Sequence, residues 1–194
     1  MIVAILTIAA YLIGSIPIGL MVGRMRGFDP RALGSGNIGM TNVTRAGGSG
    51  AGAITFVGDL LKGFLPVLAV RLMGFGPDVL ATVGLAAFLG AIWSVFLKFE
   101  GGRGVSASLG IWLALSPWPI LVALAVFAAI FAATRIVSIA SIGAAITLPP
   151  AAAVLGCPRP YVGLAIVMAG LVLLRHRDNI RRLVRGEEPT IGAT

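Results

Sequence analysis

Apolar residues run through this chain in long stretches, and most of its polar residues are gathered between them. The runs cover residues 1–22, 53–74, 79–97, 104–134, 136–155 and 161–174. Apolar stretches of this kind read as membrane-spanning helices, each needing about 20 residues. The first run carries no charge and lacks the basic start and cleavage pattern of a signal peptide, so it reads as a span. The run at 104–134 is 31 residues long, too long for one comfortable span at about 1.5 Å per residue. It contains Ser116-Pro117-Trp118-Pro119. Proline has no N–H and disfavours helix in the residue before it, so the run is expected to divide there. The products are a short helix at about 104–116 and a second at about 119–134, giving about seven spans.

The basic residues support that division and set an orientation. Arg24, Arg26, Arg31 and Arg45 follow the first run, Lys98 and Arg103 lie two spans later, and Arg175, Arg177, Arg181, Arg182 and Arg185 fill the tail. The positive-inside rule then places the N-terminus outside and the C-terminus in the cytoplasm. Treating 104–134 as one span would put the basic tail outside; dividing it restores agreement. Only Arg71 and Arg159 fall on or near the outer side. The expectation is an all-α integral membrane protein of about seven transmembrane helices, one domain over 1–194 with a basic cytoplasmic tail at 176–194.

Composition narrows the possibilities further. Of 194 residues, 58% are hydrophobic and 11% charged, with a mean hydropathy of +1.01. A soluble domain is about 45–50% apolar and about 25% charged, so soluble and disordered proteins are both excluded. The net charge of +8 lies between apolar runs, which favours anionic lipid or an anionic substrate over nucleic acid. A single cysteine, Cys157, excludes a disulfide framework and a multi-cysteine metal site. A single histidine, His176, leaves no zinc triad.

Candidate chemistry sits in the cytoplasmic connections. Gly34-Ser35-Gly36-Asn37-Ile38-Gly39-Met40-Thr41-Asn42-Val43-Thr44-Arg45 combines glycines, small donors and a fixed cation. Glycine allows close approach of the backbone, successive N–H groups form an anion-binding concavity, and Arg45 adds a fork that suits phosphate. It lacks the Gly-Lys-Ser/Thr ending of a P-loop. Lys98-Phe99-Glu100-Gly101-Gly102-Arg103-Gly104 places backbone donors and a guanidinium before a short helix, another natural anion site. For both stretches the competing reading is a glycine-rich connection with positive-inside charge. Asp59 and Lys62 share a helix face and can neutralise each other, either bordering the site or fixing helix packing. Ser138 and Ser141 can face inward together, as ligands or as helix–helix glue. Residues 175–183, including His176 and Asn179, read as a basic amphipathic helix along the membrane surface. No acidic pair, Ser-His-Asp set or acidic metal cluster is visible. The residues alone reach a phosphate-handling site at one membrane face, needing neither metal nor covalent nucleophile.

These motifs resemble the signature loops of the bacterial acyl-phosphate-dependent glycerol-3-phosphate acyltransferase family, and the similarity runs from Gly14-Ser15-Ile16-Pro17 to Gly186-Glu187-Glu188-Pro189. The resemblance implies a seven-helix inner-membrane protein with its active site facing the cytoplasm. The implied reaction moves a fatty acyl group from acyl phosphate to glycerol 3-phosphate, giving lysophosphatidic acid, without cofactor, metal or acyl-enzyme. It implies that Ser35, Arg45, Arg103, Ser141 and Asn179 hold the acceptor phosphate and that His176 sits beside the acyl phosphate or the attacking hydroxyl. The full expectation names His176 and Asn179 as catalytic. Ser35, Asn37, Thr41, Asn42, Arg45, Lys98, Gly101, Gly102, Arg103, Ser138 and Ser141 are expected to bind substrate, with Asp59 and Lys62 structural or bordering. Expected partners are glycerol 3-phosphate, fatty acyl phosphate, membrane lipid and, as a candidate, the soluble enzyme supplying the acyl phosphate.

The chain departs from the family pattern twice. The family usually has Gly-His-x-Phe/Tyr-Pro ahead of the third loop, where this chain has Gly90-Ala91-Ile92-Trp93-Ser94. It also carries Arg103 in place of a lysine. The missing histidine leaves three readings open: a packing change, an altered donor or acceptor, or weak activity. The alternative functions are a transporter of a phosphorylated small molecule, for which glycine-broken helices would suit, and a divergent acyltransferase with a changed acceptor.

Overall fold

A computed structural model describes residues 1–191; the last three residues of the expected tail, 192–194, lie outside it. The described residues form α-helices joined by short connections: α1 (Ile2–Gly14), α2 (Ile18–Met25), α3 (Met40–Leu72), α4 (Pro77–Ile92), α5 (Val105–Leu115), α6 (Pro117–Thr134), α7 (Val137–Val154), α8 (Arg159–Arg175) and α9 (Arg177–Val184). Single 3₁₀ turns occupy Pro30–Ala32 and Val95–Leu97. Five helical stretches are long and apolar enough to cross a membrane, or six if the α8–α9 pair, bent by 57°, counts as one. The helix break expected near Pro117 is present: Ser116 is extended and Pro117 opens α6, where its missing N–H costs nothing. At 11 residues, α5 is shorter than the about 20 residues that a full-thickness span takes.

The chain divides into two compact units, Met1–Leu115 and Ser116–Thr194. In the first, α3 packs on α5, and α1 packs on α4. Glycines set these approaches. A Cβ at Gly110 would overlap the Leu60 carbonyl oxygen of α3, and one at Gly63 would overlap the Ala107 carbonyl oxygen of α5. Small residues permit such approaches in membranes, where packing rather than water exclusion holds helices together. Gly110→Ala is therefore expected to destabilise the fold by about 1–3 kcal/mol, measured by thermal unfolding in detergent. Ile2, Ile5, Ile8 and Leu12 stay exposed along α1, at the spacing of one helix face, as a lipid-facing stripe requires.

The first run is helical but broken. α1 stops at Gly14 and α2 starts at Ile18, because Pro17 supplies no N–H and restricts Ile16. A break among packed apolar helices exposes carbonyls that must find donors. Lys62 Nζ donates to the Ile16 carbonyl at 3.1 Å, and Ser94 Oγ donates to the Ser15 carbonyl at 2.5 Å. Lys62 also pairs with Asp59 at 2.8 Å, and both are largely buried. This pair therefore ties α3 to the α1–α2 break, in keeping with the packing reading. Arg71 donates from Nη1 to the Ala114 carbonyl at 2.6 Å and so caps the C-terminal end of α5.

In the second unit α7 packs against α6 and α8. The residues after α9 turn back, and the Ile191 amide donates to the Arg135 carbonyl at 2.9 Å.

Candidate active site

In the first unit, the loop before α3 is organised by one side chain. Asn42, 2% exposed, donates from Nδ2 to the carbonyls of Pro30 at 2.8 Å, Leu33 at 3.0 Å and Asn37 at 2.8 Å. Its Oδ1 accepts the Ser35 amide at 2.9 Å. An amide nitrogen has two donor hydrogens, so one of them is shared between two of these carbonyls and Asn42 is spent on the loop. Asn37 Oδ1 accepts the Gly39 amide at 3.2 Å, at the start of α3. Gly34 and Gly36 take positive φ, 56° and 70°, conformations that glycine adopts without penalty. Ser35 between them is exposed, as is Arg45, while Thr41 is half-buried. Thr41 and Arg45 are one turn apart on α3 and share a face. The loop rests on a small apolar core of Val22, Val43 and Ala51 with Ile18 and Phe28.

The neighbouring Asp29 and Arg31 are occupied with each other. Arg31 donates from its backbone at 2.9 Å and from Nη2 at 2.6 Å. These hydrogen bonds, side chain first, lower the Asp29 carboxyl to about 2.

The second loop of this unit is shaped by close contact with the end of α4. The Gly102 amide donates to the Ala91 carbonyl at 3.0 Å, and a Cβ at Gly101 would lie 2.6 Å from the carbonyl carbon of Ile92. Gly101 therefore has no room for a side chain, whereas a Cβ at Gly102 would make only ordinary contacts, 3.7 Å or more from its neighbours. Lys98 is exposed and Arg103 half-buried, just before α5. Lys98 and Phe99 both have positive φ, 54° and 63°. Non-glycine residues hold such conformations only where their surroundings fix them, often at functional sites.

In the second unit four expected residues are buried: Ser138 at 3%, Ser141 at 4%, His176 at 1% and Asn179 at 2% exposure. The structure adds a residue that the sequence reading left out of the site. Glu188 folds back from the tail and accepts from Ser138 Oγ at 2.7 Å, Asn179 Nδ2 at 2.5 Å and Arg182 Nε at 2.8 Å. Burial pushes its carboxyl up, but the hydrogen bonds from Asn179, Ser138 and Arg182 outweigh it, and the net shift is downward. Its only sequence signal is its place in Gly186-Glu187-Glu188-Pro189 after a basic stretch, which says nothing about where the tail returns.

That contact fixes the chemistry of its neighbours. With Nδ2 committed to Glu188, Asn179 presents Oδ1, a buried acceptor with no hydrogen-bond partner among the described residues. Such an atom is rare in a native fold and marks a position for a donor. His176 Nδ1 lies 2.8 Å from the Val172 carbonyl. A carbonyl only accepts, so Nδ1 carries a proton in this contact.

Known proteins share this chain over nearly its whole length. The family model described as glycerol-3-phosphate acyltransferase matches residues 4–186. The glycerol-3-phosphate acyltransferase of Geobacter sulfurreducens is 50% identical over 184 residues, 95% of each chain. That of Rubrobacter xylanophilus is 45% identical, over 99% of this chain and 96% of its own. A crystal structure of PlsY, an integral membrane glycerol 3-phosphate acyltransferase, in its glycerol 3-phosphate form is 43% identical with a TM-score of 0.95, covering 99% of this chain and 96% of that one. A lysophosphatidic acid form gives a TM-score of 0.92, with the same identity and coverage. With the family model matching almost end to end, the chain belongs to the glycerol-3-phosphate acyltransferase family.

Proposed function

We propose that this protein transfers a fatty acyl group from acyl phosphate to the sn-1 hydroxyl of glycerol 3-phosphate, releasing lysophosphatidic acid and inorganic phosphate. The observation that carries this reading is the full-length similarity to an integral membrane enzyme solved in its glycerol 3-phosphate form. The anion-suited loops at 34–45 and 98–104 support it independently. The chain crosses the bacterial inner membrane about seven times, with α5 as the short fourth crossing. Its N-terminus is outside, and its loops and tail face the cytoplasm.

Ser35, Arg45 and Arg103 bind the acceptor phosphate, with Thr41 and Lys98 beside the two anions and the backbones of Gly101 and Gly102 forming the wall. Asn42 and Asn37 serve through the loop they shape, since their bonds go to its backbone. Ser141 contributes a hydroxyl donor. Asn179 Oδ1 is an acceptor and would repel phosphate, so it suits the attacking hydroxyl. His176 lies three residues before Asn179 and stands beside the same chemistry. Ser138 is committed to Glu188 and fixes the geometry around Asn179.

In the reaction the glycerol oxygen forms a bond to the acyl carbonyl carbon and the bond from that carbon to the phosphate oxygen breaks. The departing phosphate takes the hydroxyl proton, so the protein's part is positioning and charge stabilisation. The test is an assay of purified protein with chelator, labelled glycerol 3-phosphate and one donor at a time. Lysophosphatidic acid from palmitoyl phosphate, and none from acyl-CoA or acyl carrier protein, is the expected result. No product from any donor, with folded protein, would overturn the reading and redirect attention to the missing histidine at Ala91.

A further inference from the structure

We infer that Ser94 is a positioning residue for the loop that presents Lys98 and the Gly101-Gly102-Arg103 stretch; only the kinetic part of its test rests on the acyltransferase reading above. Ser94 occupies the position where the chain departs from the family's proline, and it is 2% exposed. Its Oγ donates to the Ser15 carbonyl at 2.5 Å, in the α1–α2 break. Its own carbonyl accepts the amides of Leu97 at 3.1 Å and Phe99 at 2.8 Å. Those two bonds close the turn in which Lys98 and Phe99 both adopt left-handed conformations.

One residue therefore joins the break in the first run to the constrained turn. The contacts around it point the same way. Tyr11 Oη donates to the Trp93 carbonyl at 2.8 Å, and the Ala91 carbonyl receives the Gly102 amide at 3.0 Å. The end of α4 is thus pinned to α1 on one side and to the glycine loop on the other. Removing the hydroxyl leaves the Ser15 carbonyl without this donor in apolar surroundings, a costly state. The left-handed turn has the least reason of its own to stay in place, so it relaxes first. Lys98 and the glycine stretch move with it.

The experiment pairs kinetics with amide exchange in four variants. Ser94→Ala is expected to raise KM for glycerol 3-phosphate about ten-fold with kcat within about three-fold. Exchange at Leu97 and Phe99 should quicken by about ten-fold. Ser94→Thr, which keeps the hydroxyl, should restore both readouts, and Ser94→Cys, a weak donor of similar volume, should show the alanine pattern at smaller amplitude. The decisive variant is Ser94→Ala/Phe99→Gly. Phe99 is 61% exposed, and glycine adopts its φ freely, so this change should recover at least half of the KM loss. A merely structural hydroxyl would not be rescued by easing a turn five residues away. Unchanged KM and exchange in Ser94→Ala, or no recovery in the double variant, overturns the inference. If the wild type makes no lysophosphatidic acid, the function reading fails, while exchange still decides whether Ser94 holds the turn.

Discussion

Arg45→Ala and Arg103→Ala are each expected to raise KM for glycerol 3-phosphate by about 10–100-fold at saturating palmitoyl phosphate. A hydrogen bond to a charged group contributes about 1.5–3 kcal/mol, and each 1.4 kcal/mol is a factor of ten. Loss of a guanidinium also leaves a doubly charged phosphate facing neutral donors. Arg45 lies on α3 one turn beyond Thr41 and close in sequence to the Ser35 loop, and Arg103 lies directly before α5. Arg103→Lys should stay within about five-fold of wild type, since a lysine keeps the charge but not the fork. Arg45→Lys should cost more if its grip is bidentate. Initial rates across acceptor concentration measure this directly. Unchanged KM in both alanine variants would remove these arginines from the phosphate site.

Glu188→Gln should be the most damaging change in the second unit, lowering stability by about 1.5–3 kcal/mol, the range for a hydrogen bond to a charged group. The Glu188 side chain is 7% exposed and receives three donors. A glutamine there presents its own N–H groups to at least one of them. Asn179 then loses its orientation, so kcat should fall by about 100-fold or more while KM for glycerol 3-phosphate changes little. The pH dependence has a definite sign. Because the folded carboxyl titrates below its ordinary value, its contribution is fully present above about pH 4.3, the usual glutamate pKa. It is lost as pH falls through the lower, folded value. Melting curves of wild type and Glu188→Gln should therefore differ by a constant amount at neutral pH and converge in acid. Asp29, also held low, is common to both proteins and cancels from the difference. A gap that persists unchanged into strong acid would mean that the Glu188 charge does not hold the tail.

The broad architecture was legible because its determinants are local. Apolar run length names membrane helices, and Pro117 ends one helix and opens the next whatever it packs against. Ser138 and Ser141 both turned out buried on α7, as their spacing suggested. Asp59 and Lys62 pair across one turn of α3, but their use was open until the Ile16 carbonyl appeared beside Lys62. Asn42 stood beside Ser35 in the expected ligand set because both belong to one motif. Its four hydrogen bonds show that a polar residue in a binding loop can serve by folding the loop.

The sequence by itself determined the membrane class, the helix-forming runs and the division at Ser116, since composition, periodicity and proline chemistry act within a few residues. Only the tertiary structure decided which donors satisfy the broken first run and which acid orients Asn179. Those bonds join residues 46, 79 and 9 positions apart in sequence. Buried polar atoms must be paired, but which partner pairs them depends on where helices and tail come to rest, and no local pattern encodes that.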